Sequence, residues 1–241
     1  MRRFYSPPDQ ISEGRVILNA DETRHLRDVL RLRVGDQASV FDGLGREYLC
    51  IVSELSKRSA LLEVKQEIQP ASPESPLDLT VAAAILPGEK FEITVQKAAE
   101  LGVYRLRPLY TVRCEVKPGG SRSRLARWRK IAAESAKQSG RARLMDIAEP
   151  VGLTEFLADT GSIAGTKIFF SERDGSDFTA IEPATKMTAV FGPKGGWDDS
   201  ELESARAANF TIVTFGGRIM RAETAAIAMT AILQHRFGDL S

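Results

Sequence analysis

The chain has 241 residues, 43% of them hydrophobic, with 33 Lys and Arg against 32 Asp and Glu. That is soluble globular usage with apolar mass for one or two domains, and the longest apolar runs, such as Val81–Leu86, are too short to span a bilayer. Cys50 and Cys114 form no CxxC, His25 and His235 have no metal-ligand spacing, and Met1–Pro8 has no apolar stretch behind its charges. These features argue against a disulfide framework and a thiolate metal site, no secretory signal is expected at the start, and a cytoplasmic, metal-free protein is expected.

In chain order, the first 70 residues read as short strands at Arg15–Leu18, Gln37–Phe41, Glu47–Ser53 and Ala60–Val64. Gly-containing turns separate them, and one helix is predicted over Glu22–Leu30. Such a unit suggests a closed or nearly closed β-barrel, a common nucleic-acid-binding scaffold. Pro70, Pro73 and Pro76 then mark an extended linker, placing the domains at 1–70 and 77–241. Beyond it, apolar runs at Leu79–Leu86, Leu106–Leu109, Lys167–Phe170, Met187–Phe191 and Thr211–Phe215 read as buried strands. Helical patterns fall at Glu89–Leu101, Ser121–Ser139, Asp198–Ala208 and Ala222–Phe237, so the order is α/β with a mostly parallel sheet.

The net charge of +1 conceals an asymmetry. Residues 71–145 carry 14 basic and 7 acidic side chains, whereas residues 146–241 carry 8 and 14. A basic block on a nearly neutral protein points to a polyanion footprint. On the helix at Ser121–Ser139, Arg127, Lys130, Glu134, Lys137 and Arg141 follow a 3-4-3-4 spacing that places them on one face. Gln138 and Arg141 flank the glycine at its end. In the first segment Arg24, Arg27 and Arg31 share a face beside His25, and Arg2 and Arg3 lie at the terminus. These residues are the candidate RNA contacts, with surface ion pairing as the alternative for each arginine taken singly.

Two glycine turns carry the remaining signal. Phe191-Gly192-Pro193-Lys194-Gly195-Gly196-Trp197 follows a strand and precedes Asp198 and Glu201, which have the spacing of a capping box. Phe215-Gly216-Gly217-Arg218-Ile219-Met220-Arg221 again joins strand to helix. Turns of this kind at the carboxyl ends of parallel strands bind ligands, although each alone also reads as a tight connection. Neither matches GxGxxG after the first strand or GxxxxGK[ST].

These blocks, together with Gln96–Val103, Glu134–Arg141 and Arg221-Ala222-Glu223-Thr224-Ala225, give the chain a resemblance to a known family. It resembles the bacterial 16S ribosomal RNA (uracil-1498-N3)-methyltransferases, within the SPOUT methyltransferases. The resemblance implies a PUA-like RNA-binding barrel followed by a SPOUT domain whose C-terminal chain is tied in a trefoil knot. It also implies a homodimer acting on 16S rRNA of the 30S subunit, with S-adenosylmethionine as cofactor. By position, the cofactor residues would be Ser171, Glu172, Phe191, Gly192, Pro193, Gly195, Gly196, Phe215, Gly216, Arg218, Ile219, Met220 and Thr224. The chain departs from the family pattern Gly-Pro-Glu-Gly-Gly at Lys194, a charge reversal, and more mildly at Trp197 and Met220.

The expected reaction is methyl transfer to N3 of a uridine held out of pairing. Arg221 is expected to stabilise the developing N3 anion and Glu223 to accept the proton, a helix-terminus role being the alternative for Glu223. Two other functions fit these residues: an RNA-binding ribosome-assembly factor whose pocket Lys194 impairs, and a SPOUT enzyme acting on another RNA nucleotide.

Overall fold

The computed structural model describes residues 2–161 and 164–240. The chain divides into two compact units, residues 1–74 with 133–144, and residues 75–132 with 145–241.

The first unit is built on a six-stranded sheet. Its strands are β1 (Arg3–Tyr5), β2 (Ile11–Ser12), β3 (Arg15–Leu18), β4 (Gln37–Phe41), β5 (Glu47–Leu55) and β6 (Ala60–Ile68), in the order β1-β4-β5-β6-β3-β2. All pairs are antiparallel except β1 with β4. Alternation sends Val16 and Leu18 of β3 inward, where they join Phe4, Leu26, Val40, Cys50 and Leu62.

The helix predicted at Glu22–Leu30 begins at Ala20, because Asn19 Oδ1 accepts from the Asp21 and Glu22 N–H groups at 3.0 and 2.9 Å. After α1 (Ala20–Arg24) the chain widens into a π-helical turn over His25–Val29. That turn breaks the 3.6-residue period on which the expected Arg24/Arg27/Arg31 face depended. Arg31 lies beyond it in the left-handed region, with φ 54°.

The second difference concerns boundaries. Residues 133–144 belong to the first unit, so it is not confined to residues 1–70. Arg3 explains the attachment. Its guanidinium pairs with Glu47 at 2.9 and 3.0 Å and donates to the carbonyls of Ala136, Lys137 and Arg141. Phe41, Ala136 and Ala142 pack beside it in a small apolar cluster.

The second unit is a parallel sheet between helices. Its strands are β7 (Asp78–Ala84), β8 (Arg105–Tyr110), β9 (Asp146–Ile147), β10 (Val151–Gly152), β11 (Thr166–Phe170), β12 (Lys186–Phe191) and β13 (Thr211–Val213). They run β10-β8-β7-β12-β11-β13, with β9 also pairing β8. Successive residues face opposite layers. Leu79, Val81, Ile168, Phe170, Met187 and Phe191 join one core with α2 (Glu89–Glu100), α3 (Ser121–Ser139) and α6 (Ala222–Phe237). Ala82, Phe169 and Val190 join the other with α4 (Leu153–Gly161) and α5 (Asp199–Ala207). Strands β9 and β10 and helix α4 are additions to the predicted elements. Among the described residues, no helix is long and apolar enough to cross a membrane.

Candidate active site

Strands β12, β11 and β13 are parallel neighbours, so their carboxyl ends lie side by side. The chain leaving each enters a loop: Ser171-Glu172 after β11, the first glycine turn after β12, and the second after β13. Together with the first turns of α2 and α6 these loops enclose a cleft of about 880 Å³. This is the place where open parallel sheets bind ligands. Every cofactor residue expected from the resemblance lines it except Thr224, which lies on the first turn of α6 outside the lining. Arg221 and Glu223 line it as well.

The first glycine turn is held rigidly. Trp197, 1% exposed, sets its ring at a tilt 4.2 Å from that of Phe169 and donates its indole N–H to the Phe170 carbonyl at 2.8 Å. Gly192 sits against the indole, where a Cβ would come within 2.9 Å of Trp197 Cε2. Gly196 has φ 70°, a backbone that strains any side chain, and a Cβ there would displace the Glu172 carboxylate 2.6 Å away.

Helix α5 begins with the predicted capping box: Asp198 Oδ1 accepts from the Ser200 N–H, and the Asp198 N–H donates to Glu201 Oε2. Hydrogen bonds from Ser200, aided by the charge of Arg113, hold the Asp198 carboxyl below the usual carboxylate range. The other Glu201 oxygen accepts from the Val112 N–H at 2.8 Å, and Arg113 donates to the Gly195 carbonyl at 3.2 Å. Lys194 turns to Glu115, with Nζ 3.3 Å from Oε1 and both side chains more than half exposed.

The second glycine turn is open. A Cβ on Gly216 would meet nothing within 4 Å, and Ile219 is 91% exposed. Arg221 is the N-cap of α6 but makes no capping hydrogen bond, and among the described residues its guanidinium has no polar partner. Glu223 makes no capping bond either. Its carboxylate faces Lys90 on the first turn of α2, with Nζ 3.7 Å from Oε1.

Lys90, Phe170, Thr214 and Met229 also line the cleft and were not anticipated. Phe170 and Met229 read as ordinary core residues, and Lys90 lies a hundred residues before the nearest glycine turn, so no local signal marks these three, whereas Thr214 immediately precedes the second glycine turn.

The expected RNA contacts separate into two groups. Arg2, Arg24, Arg31, Arg127, Lys130 and Gln138 are exposed, while His25, 5.9 Å edge-on to Phe4, and Arg27 are half-buried. Arg24 pairs with Asp21, Arg27 with Asp28, and Arg127 with Glu92. Arg3, Lys137 and Arg141 are buried, which corrects their expected role. Arg3 is spent on Glu47 and three carbonyls, Lys137 pairs with Glu22 at 2.6 Å, and Arg141 with Glu74 at 2.7 Å. The end of α3 is packed into the first unit, so the basic stripe read from its spacing does not remain one solvent face.

A family model described as an RNA methyltransferase domain matches residues 73–234, and one described as an RNA methyltransferase PUA domain matches residues 18–65. The parallel sheet with its cleft and the small β-unit before it therefore define an RNA methyltransferase carrying a PUA domain. A Ribosomal RNA small subunit methyltransferase E of Synechocystis is 34% identical over 92% of this chain and 74% of its own length. That of Bacillus subtilis is 29% identical over 96% of both chains. The crystal structure of a Ribosomal RNA small subunit methyltransferase E from Neisseria gonorrhoeae bound to S-adenosyl methionine superposes with a TM-score of 0.90 at 34% identity, covering 100% of both chains. The chain belongs to the Ribosomal RNA small subunit methyltransferase E family.

Proposed function

We propose that this chain transfers the methyl group of S-adenosylmethionine to N3 of a uridine of the 1498 type in 16S rRNA, in the cytoplasm and as a homodimer on the 30S subunit. The observation that carries this reading is the convergence of the β11, β12 and β13 loops on one cleft in a chain matched along its whole length by a relative bound to S-adenosyl methionine. The residues present fit that cofactor. Phe170, Phe191 and Met220 supply an apolar wall, the open face of Gly216 lets a ligand approach the backbone, and Glu172 offers a carboxylate. The bound cofactor supplies an electrophilic methyl group on a sulfonium.

The chain's own part is positioning and charge. The target base must leave its stack to present N3, and holding it in line with the methyl supplies much of the rate. Arg221, exposed on the cleft with a guanidinium that has no polar partner among the described residues, stabilises negative charge developing at the base. Glu223, free of any capping bond, accepts the N3 proton directly or through water. Arg2, Arg24, His25, Arg27, Arg31, Arg127, Lys130 and Gln138 are the RNA contacts. The trefoil knot belongs to the same reading; α6 follows edge strand β13 and packs against α2 and β12. Ile219, almost fully exposed in the cleft wall, is where a second copy would cover apolar surface.

The test begins with a calorimetric titration with S-adenosylmethionine, followed by mapping of the methyl group on undermethylated 30S subunits. Micromolar binding and a modified N3 are expected, with Arg221→Ala folding normally and transferring no methyl. A chain that binds cofactor and RNA yet leaves N3 unmodified overturns the proposal, as does near-normal turnover by Arg221→Ala for that residue's role.

A further inference from the structure

We infer that Lys90 is a positioning residue for methyl transfer, holding the Glu223 carboxylate over the cleft, an inference that rests on the function proposed above. Three observations carry it. Lys90 and Glu223 lie on the first turns of α2 and α6, both line the cleft, and their charged atoms are 3.7 Å apart. That separation is an ion pair rather than a hydrogen bond, so the carboxylate is steered while its oxygens keep their capacity to accept a proton.

The second observation is where the lysine stands. A cation in the first turn of a helix opposes the partial positive charge of the exposed N–H groups there. Glu89 and Glu92, its neighbours on that turn, have the sign the helix favours, and Lys90 does not. Its charge therefore serves what it faces rather than the helix it stands on. Among the described residues, what it faces is Glu223.

The third is rigidity. Phe91, the next residue, is buried with its ring 4.6 Å from that of Trp128, and α2 packs along α6 through a shared core that includes Val95, Met229 and Leu233. Both ends of the pair thus stand on packed helices, which hold a functional group more closely than loops do. Of the other cations lining the cleft, Arg218 and Arg221 lie on or next to the open glycine turn, and Lys194 is turned to Glu115.

The experiment compares the full chain with Lys90→Gln, Lys90→Arg, Glu223→Gln and the double variant Lys90→Gln/Glu223→Gln. It measures S-adenosylmethionine affinity by calorimetry, and kcat and KM on undermethylated 30S subunits. A residue acting through Glu223 lowers kcat without changing cofactor affinity. Lys90→Gln is expected to lose about tenfold or more in kcat, Lys90→Arg to recover most of it, and Lys90→Gln to add nothing once Glu223 is Gln. Retained kcat in Lys90→Gln, losses that multiply in the double variant, or a loss confined to cofactor binding would each overturn the inference while the function stands. A wild-type chain that binds the cofactor without methylating the RNA overturns the function and this inference together.

Discussion

The indole N–H of Trp197 donates to the Phe170 carbonyl at 2.8 Å, fastening the last residue of the first glycine turn to the end of β11. Two of the three loops around the cleft are thereby locked to each other by one buried side chain. The third, Phe215–Met220, has no comparable anchor among the described residues, and the two kinds of loop respond differently to substitution.

Gly192→Ala drives a methyl into the Trp197 ring, a contact of 2.9 Å that cannot relax without moving a fully buried indole. Overpacking of this kind costs about 1–3 kcal/mol, so the denaturation midpoint should fall and cofactor affinity with it. At Gly216 a Cβ meets nothing within 4 Å and the backbone is not left-handed. Gly216→Ala should keep wild-type stability and still weaken S-adenosylmethionine binding by about tenfold, or 1.4 kcal/mol. Normal calorimetric affinity in both variants would move the cofactor out of this cleft.

Lys194 reverses the charge usual in the family pattern, yet its ammonium is turned to Glu115. Exposed pairs of this sort are worth about 0–1 kcal/mol. Lys194→Glu should therefore leave the melting temperature nearly unchanged. Cofactor affinity should also change little, because backbone and buried side chains shape the turn. A large gain in affinity on making Lys194→Glu would instead show that the native lysine impairs binding.

Arg3 and Glu47 form an ion pair whose side chains are 1% and 3% exposed. Removing one partner strands the other in the interior, at a cost of about 3–5 kcal/mol. Arg3→Ala should therefore be among the most destabilising single changes in the first unit. Arg3→Lys should restore little of the loss, because an ammonium cannot span Glu47 and the three carbonyls as the guanidinium does. Urea unfolding followed by circular dichroism measures both.

Burial pushes the Glu22 carboxyl above its usual range, against the opposing pull of Lys137 at 2.6 Å. A carboxyl raised in the folded state contributes stability below its unfolded value and loses that contribution as pH rises through the folded one. Wild type should accordingly lose ground to Glu22→Gln between pH 4 and pH 7. The difference in melting temperature between the two proteins at those pH values gives the sign directly, and a shift in favour of wild type would mean that Lys137 outweighs burial.

Periodicity made much of the architecture legible. Helix α6 begins and ends where its pattern does, and the α5 capping box follows from Asp198 and Glu201, because both signals are local. Strands β1, β2, β9 and β10 are two or three residues long and carry no readable period. The basic stripe on α3 failed for a different reason. Spacing places residues on a helix face, but only packing says whether that face is wet, and Lys137 in the last turn of α3 is buried.

The sequence by itself determined the two glycine turns and the α/β alternation with its mostly parallel sheet, and its specific blocks carried the resemblance to the family, since these depend on neighbouring residues and on backbone freedom at glycine. The tertiary structure alone decided that β12, β11 and β13 are adjacent, and so that Ser171, Gly192 and Thr214 open on one cleft. It also decided that Arg3 is a buried strut and that Lys90 faces Glu223. The contacts of Arg3 alone join residues 44 to 138 positions apart, and no local pattern encodes which distant side chains a folded core brings within a few ångströms.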